Sequence, residues 1–137
     1  MMQDQIPVIS AVDRRARLDE VVDAFGRAWL EGDWDSYFAL WAEDFIFEYP
    51  TAPFTGRWTG ADAVSYRNAW RERFQNARLT TTGEDLRLHD GPWVVVCNHG
   101  EGIVNGKPYR GLLTTVLHRI DDHGKIVEYR EFLGGLT

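Results

Sequence analysis

The side chains best suited to proton transfer lie in the C-terminal third of the chain: His99, His118 and Glu131. A carboxyl group on an apolar surface loses hydration, so its pKa rises and it can act as a general acid or base near neutral pH. Imidazole titrates in the same range, so His118 or His99 could pass the proton on. Each residue also has a non-catalytic alternative. For Glu131 it is contact with solvent or an ion pair with Arg130 or Arg110. For His118 it is the role of a hydrogen-bonded histidine at the edge of the core.

Tyrosines, a tryptophan and a cysteine are further candidates for contact with a ligand. Tyr49 and Tyr129 can donate hydrogen bonds to a carbonyl or phenol, or simply pack with a satisfied hydroxyl. Trp70 is either pocket wall or core. Cys97 precedes His99 by two residues, but two potential ligands without a third fall short of a zinc site. A lone cysteine in a valine-rich strand usually packs as a small hydrophobic residue, so we predict no metal site.

Strand patterns position these side chains. The segments 79–90, 92–104, 107–120 and 124–133 predict four consecutive strands of an antiparallel sheet. Asn105-Gly106 favours a type I′ turn, because both residues tolerate positive φ. That turn pairs Val104 with Lys107 and Glu101 with Arg110, an opposite-charge pair that favours this register. Further pairs on the same count are His99 with Leu112, Cys97 with Thr114, Val95 with Val116, and Trp93 with His118.

The second hairpin and the two sheet faces follow from this register. Pairing Ile120 with Lys125 places Val116 opposite Tyr129 and Thr114 opposite Glu131. One face is then apolar with a few ionisable groups, the mixture expected of a small-molecule site. It carries Trp93, Val95, Cys97, His99, Leu112, Thr114, Val116, His118, Val127, Tyr129 and Glu131. The other face has too few charges to remain in water, so we expect a homodimer. It carries Val94, Val96, Asn98, Leu113, Thr115, Leu117, Ile126, Glu128, Arg130 and Phe132.

Helical patterns fill the N-terminal half. Ser10 or Asp13 starts a long amphipathic helix that runs to Glu31-Gly32, and Asp33 caps a second, shorter helix. Alternating apolar residues over 45–49 then indicate a strand. Thr59-x-x-Asp62 predicts the start of a third helix, which carries an apolar stripe of Ala63, Tyr66, Trp70 and Phe74.

Length and composition narrow the possible functions. A chain of 137 residues predicts one domain, 1–137, with residues 1–12 as a flexible arm. A formal charge of -6 disfavours nucleic acid as a partner, since phosphate binding needs clustered Lys and Arg. The single cysteine favours the cytoplasm, and we expect neither a signal peptide nor a membrane span. There is no G-x-G-x-x-G, G-x-S-x-G or H-E-x-x-H motif, so we predict a site without a cofactor.

Two stretches carry a family resemblance. AFGRAWLEGDWDSYFALWAEDFIFEYP and LHRIDDHGKIVEYREFL resemble the opening and closing segments of the SnoaL-like, nuclear-transport-factor-2-like superfamily, which includes ketosteroid isomerase, and the likeness spans roughly residues 16–134. The resemblance implies an α+β cone-shaped roll, with three N-terminal helices packed on a curved, mostly antiparallel sheet around a cavity. The closing segment also resembles polyketide cyclases and small phenazine-biosynthesis proteins. In those proteins an acidic residue of the last strand points into the cavity, and Glu131 matches it.

The chain departs from ketosteroid isomerase at that enzyme's catalytic positions. Tyr49 stands where the resemblance places the base, and Phe25 and Val116 stand where it places the oxyanion-hole residues, so steroid isomerisation by that mechanism is disfavoured. The Asp-Arg-Asp constellation of limonene epoxide hydrolases is not recognisable either.

These observations lead to two functional hypotheses. The first is a cofactor-free isomerase, cyclase or dehydratase for a small apolar or aromatic metabolite, with Glu131 as acid or base and His118, His99 or Tyr49 assisting. The alternative is a non-catalytic binding or assembly module of the same fold. The residues expected to contact the ligand are Tyr129, Val116, Val95, Cys97, Phe25 and Trp70.

Overall fold

The computed structural model describes residues 10–51, 55–73, 78–104 and 107–134. Within these ranges the elements follow in the order α1 (Ala11–Glu31), α2 (Trp34–Ala39), β1 (Trp41–Tyr49), β2 (Gly56–Thr59), α3 (Gly60–Arg73), β3 (Arg78–Asp90), β4 (Trp93–Val104), β5 (Lys107–Ile120) and β6 (Ile126–Gly134). The chain therefore has the predicted α+β class. The expected arm over residues 1–12 lies largely outside the described ranges, and α1 already begins at Ala11.

The boundaries of α1 and α2 follow from their capping residues. The Ser10 hydroxyl accepts a hydrogen bond from the Asp13 amide, and α1 ends at Gly32, whose φ of 68° is left-handed backbone that favours glycine. The Asp33 carboxylate accepts from the Ser36 amide and starts α2. The predicted starts at Ser10 and Asp33 and the predicted end at Gly32 are confirmed. One stripe of α1 packs into the core with Leu18, Val22, Phe25 and Ala28.

The six strands form one curved sheet in the order β2-β1-β6-β5-β4-β3. β1 runs parallel to β6, and every other neighbouring pair is antiparallel. Two details differ from the sequence prediction. Only α1 is a long N-terminal helix, because α2 has six residues and α3 follows β1 and β2. The short strand β2 was also not predicted, since Gly56–Thr59 follows a segment with turn composition.

A β-bulge changes the register of the β4–β5 hairpin. Val104 pairs with Lys107, as predicted, while the turn residues Asn105 and Gly106 lie outside the described ranges. After Gly102 and Tyr109 pair, the next pair is Gly100 with Leu112, so two residues of β5 oppose one of β4. The predicted pairing of Glu101 with Arg110 is therefore wrong.

The bulge inverts the faces of β4 relative to the prediction. Beyond it His99 pairs with Leu113, Cys97 with Thr115, Val95 with Leu117 and Trp93 with Arg119. A shift of one residue exchanges the two faces of a strand. Val94 and Val96, predicted on the outer face, are 0% and 3% exposed and belong to the core. The predicted inner placement of Trp93, Val95, Cys97 and His99 is wrong for the same reason.

The β5–β6 hairpin also differs in register, but by two residues. Val116 pairs with Glu131 and His118 with Tyr129, while a further irregularity pairs Ile120 with Ile126 instead of Lys125. A shift of two residues preserves the faces, so Tyr129 and Glu131 share the inner face with Val116. Ile126, predicted on the outer face, lies in the core, and Glu128 is also buried.

Candidate functional site

The inner face of the sheet, α1 and α3 enclose a cavity of about 530 Å³. Its apolar lining includes Val22, Phe25, Val96, Leu112 and Val116. Its polar lining includes Tyr37, Tyr49, Arg67, Asn98, His118, Tyr129 and Glu131. A volume of this size suits a small organic molecule, and polar groups set among apolar side chains can fix the orientation of such a ligand.

Glu131 projects from β6 into this cavity. It is half-buried, and its carboxylate accepts hydrogen bonds from the hydroxyls of Tyr129 and Tyr49. Neither ion pair considered from the sequence, with Arg130 or with Arg110, forms in the structure, and Arg130 contacts Glu48 and Glu128 instead, each at 3.3 Å. Glu131 is therefore held by two tyrosines at the cavity wall.

Burial and hydrogen bonding act on the Glu131 carboxyl in opposite directions. Desolvation raises its pKa, while the Tyr129 hydroxyl, the Arg67 charge and the Tyr49 hydroxyl lower it, and the net pKa lies above the ordinary glutamate value. Desolvation and the nearby Glu131 charge raise the pKa of both Tyr129 and Tyr49 well above the usual tyrosine value. Both hydroxyls thus remain protonated donors, and Glu131 is the group that can exchange a proton.

His118 lies on the neighbouring strand β5, where it pairs with Tyr129. It is 4% exposed, and its Nδ1 is 3.2 Å from the Val94 carbonyl oxygen. Burial lowers its pKa to about 4. At neutral pH the ring is therefore uncharged, and because a carbonyl only accepts hydrogen bonds, Nδ1 carries the proton. Nε2 is then the ring nitrogen left to accept a hydrogen bond. The ring packs edge-on against Tyr129 and Phe25.

Arg67 is a polar residue of the site that the sequence analysis missed. It projects from α3, is 3% exposed and lines the cavity. Its guanidinium carbon is 3.9 Å from the centre of the Phe47 ring and 5.2 Å from that of Trp29. A signal was available in the sequence, because residue 67 follows Ala63 by four positions and precedes Trp70 by three, on the apolar stripe of the helix.

Several residues predicted for the site lie elsewhere. Val95, Cys97 and His99 are on the outer side of β4 and do not line the cavity. His99 is exposed, and its Nδ1 is 2.8 Å from an oxygen of Asp85. The Cys97 sulfur is 3.9 Å from the Thr115 hydroxyl. Trp70 belongs to α3, and its side chain is outside the described part of the chain.

Two further properties concern only the residues that the structure describes. Among them, no three His, Cys, Asp or Glu side chains come together as a potential metal site. The helices over these residues also lack a stretch long and apolar enough to cross a membrane.

The model of the SnoaL-like domain family matches residues 22–129, so the chain belongs to this family. The match ends two residues before Glu131. No curated protein matches the sequence.

Solved structures with the same fold support this assignment. An NTF2-like protein of Anabaena variabilis aligns with a TM-score of 0.73 and 22% identity over 95% of this chain and 96% of its own. A Bacillus subtilis protein proposed to be an isomerase aligns with a TM-score of 0.70 and 27% identity over 87% of each chain. A Xanthomonas campestris protein proposed to be a polyketide cyclase aligns with a TM-score of 0.70 and 21% identity over 86% of this chain and 90% of its own.

Proposed function

We propose that the protein is a cofactor-free acid/base enzyme, an isomerase, cyclase or dehydratase, that acts on a small apolar or aromatic metabolite in its cavity. One observation carries the proposal: the Glu131 carboxyl is half-buried at the cavity wall, held by two tyrosine hydroxyls, with its pKa raised by burial. A carboxyl in such a place combines accessibility to a ligand with a proton affinity suited to general acid or base catalysis.

The surrounding groups suit such a proton transfer. As a base, Glu131 would accept a proton from an acidic carbon of the substrate and return it to another atom of the same molecule. The Tyr129 and Tyr49 hydroxyls hold the carboxylate in one orientation and stabilise its charged form. Neutral His118 can accept a hydrogen bond from a substrate hydroxyl at Nε2, while Phe25 and Val116 supply apolar contacts.

The family is compatible with this chemistry. The Bacillus subtilis relative is proposed to be an isomerase and the Xanthomonas campestris protein a polyketide cyclase. The second similarity lies below 25% identity and supports the fold alone, so the argument for chemistry rests on Glu131.

The test is substitution of Glu131 by Gln, which keeps the shape and removes the titrating proton. We expect turnover to fall by on the order of 100-fold or more with little change in ligand affinity. A panel of enolisable aromatic ketones in deuterated water provides the assay, since exchange of the acidic proton is visible by NMR. Glu101→Gln is the matched control, because Glu101 is exposed on β4 and does not line the cavity. Unchanged turnover in Glu131→Gln would remove Glu131 from the mechanism.

A binding module is the second candidate function. It is favoured by the hydrogen bonds that Glu131 already accepts from Tyr129 and Tyr49, since a carboxylate held by two hydroxyls can serve to shape a pocket. The same substitution separates the two functions. A binding module would lose affinity or nothing in Glu131→Gln, and the wild type would catalyse no exchange in any ketone of the panel.

We also propose a homodimer formed through the outer face of the sheet, here defined by Leu86, Leu88, Leu113 and Phe132. All four side chains are exposed. They lie on neighbouring strands, where the paired rows Leu86-Cys97-Thr115-Phe132 and Leu88-Val95-Leu117 form one apolar surface. A contiguous apolar surface of this kind favours association.

We propose a cytoplasmic location as well, which is compatible with the single cysteine of the chain.

A further inference from the structure

Arg67 is a buried cation at the wall of the cavity without an ionic partner among the described residues. No carboxylate of that part of the chain lies within ion-pair distance of it, and its Nε has no hydrogen-bond partner there. The Glu131 charge acts on Arg67, yet the two hydrogen-bond donors to that carboxylate are tyrosines. A guanidinium whose Nε donor is unused therefore lines the space that a ligand would occupy.

Aromatic rings compensate for part of the lost hydration. The guanidinium lies over Phe47 at 3.9 Å, and the centres of the Trp29, Tyr37 and Tyr129 rings are 5.2 Å, 5.7 Å and 5.7 Å away. Cation–π contacts stabilise a desolvated cation, but they satisfy none of its N–H donors. Hydrogen bonds from these donors to an anion would stabilise the cation further, because charge-assisted bonds are strong in a dry site.

A second arginine of the cavity shows the contrast. Arg87 also lines the cavity, but it forms ion pairs with Asp19 at 3.0 Å, Asp23 at 2.8 Å and Glu84 at 2.6 Å. Its charge is thus already compensated within the protein. Arg67 differs because none of the described carboxylates lies within ion-pair distance of its guanidinium.

We propose that Arg67 binds a negatively charged oxygen of the ligand, so that the cavity takes an organic anion with an apolar or aromatic body and a carboxylate or phenolate group. This inference rests on the proposed function only in assuming that the cavity holds a small molecule. The body of the ligand would pack on Phe25, Val96 and Val116. Its anionic oxygen would lie between Arg67 and the Tyr49 side of the cavity, near Glu131.

The test compares anions with neutral molecules of the same shape. The probes are 2-naphthoate against 2-naphthamide, and 4-nitrophenolate against 4-nitroanisole, with binding followed by tryptophan fluorescence and calorimetry. We expect an anion to bind at least about 10-fold more tightly than its neutral counterpart, and this preference to be lost in Arg67→Met, since a hydrogen bond to a charged group is worth about that factor. The pair that shows the preference identifies the carboxylate or the phenolate as the ligand group.

Arg110→Met is the matched control, because it replaces the same residue type and Arg110 is exposed on β5 and does not line the cavity. It should change anion affinity by less than about 2-fold. If Arg67→Met fails to fold, NMR of the ¹⁵N-labelled wild type provides a second measurement, the chemical shift of the Arg67 Nε–H group. We expect this resonance to shift on adding the anion and not on adding the amide. Equal affinity for anions and neutral molecules, or an unshifted resonance, would overturn the proposal.

The outcome is independent of the catalytic test at Glu131. Glu131→Gln should still prefer the anion, since Arg67 is unchanged in that variant. Loss of turnover with a retained anion preference would support both proposals. An absent preference beside a 100-fold loss of turnover in Glu131→Gln would overturn the role of Arg67 alone.

Discussion

The inner and outer faces of strands β4, β5 and β6 are built from the same segments of chain, yet they differ in chemistry. The inner face places His118, Tyr129 and Glu131 around a cavity, and each of these groups has a pKa displaced by burial. The outer face exposes Leu113 and Phe132 with few charges between them. Alternate residues of one strand thus line a cavity on one side and form an exposed apolar surface on the other.

In this sheet, whether the register shifts by an odd or an even number of residues decides which side chains reach the cavity. The inner face keeps polar groups dry and perturbed, while the outer face has apolar side chains that gain by burial against another surface. A single bulge in β5 determines which side chains of β4 belong to each face. Substitutions on the inner face should therefore change pH-dependent stability, and substitutions on the outer face should change association.

The largest expected effect on stability is at His118, on the inner face. Its folded pKa of about 4 lies below the 6.5 of an unperturbed histidine, so the unfolded chain takes up the proton first as the pH falls. Neutral His118 contributes fully to the free energy of unfolding above pH 6.5. As the pH falls from 6.5 to about 4, the free energy of unfolding decreases by up to about 3 kcal/mol. Urea unfolding across this range measures it.

His118→Gln should lose less stability than the wild type between pH 6.5 and 4, because glutamine takes up no proton. The control is His123→Gln, since His123 is exposed in the turn before β6. That variant should follow the wild-type curve. Parallel curves for His118→Gln and the wild type would show that His118 is not held neutral by burial.

A smaller effect is expected at Gly100, beside the bulge. A Cβ on Gly100 would lie 2.2 Å from the Thr80 carbonyl oxygen, whereas a Cβ on Gly111 would meet nothing within 4 Å. Gly100→Ala should therefore destabilise the protein by about 2 kcal/mol, the usual cost of overpacking, while Gly111→Ala changes stability by less than about 0.5 kcal/mol. Thermal unfolding of the two variants is the measurement, and equal melting temperatures would contradict the close approach of β3 and β4.

The smallest effect on the stability of the folded monomer is expected on the outer face. Leu113→Glu with Phe132→Glu should change the free energy of unfolding of the monomer by only about 0.5 kcal/mol, since both side chains are exposed. The dissociation constant of the proposed dimer should nevertheless rise by about 10-fold or more, because the contact would bury charge. Sedimentation equilibrium measures it. Val12→Glu is the control, because the Val12 side chain is exposed on α1, and this substitution should leave association unchanged. A monomeric wild type at micromolar concentration would contradict the proposed dimer.

The sequence predicted the parts of the fold that depend on local signals. Ser10, Gly32 and Asp33 fix the helix ends through hydrogen bonds and backbone preferences that involve only neighbours in the chain. Glu131 and Tyr129 were placed on the correct face although their register was wrong by two residues, because an even shift preserves the face.

The faces of β4 were not predicted, because the bulge depends on contacts between strands. The opposite charges of Glu101 and Arg110 favoured a regular register, but such a pair contributes little compared with burying Val94 and Val96. The glycines at 100, 102 and 111 were the available signal, since glycines inside strands often mark bulges.

Arg67 was overlooked because an arginine on a helix is usually exposed. Its burial depends on β1 and β6, which bring Phe47 and Tyr129 beneath α3. The sequence alone shows neither the distance between these elements nor that none of the described carboxylates lies within ion-pair distance of the guanidinium.

The most direct test of the central claim is the titration of the Glu131 carboxyl itself. The ¹³C resonance of its carboxyl carbon, assigned by comparison with Glu131→Gln, can be followed by NMR from pH 3 to 9 without any substrate. The account predicts a midpoint above the roughly 4.3 of an unperturbed glutamate, because desolvation in the cavity outweighs the two tyrosine hydroxyls and the Arg67 charge. A midpoint at or below that value would contradict it, since Glu131 would then be an ordinary ionised carboxylate stabilised by its neighbours.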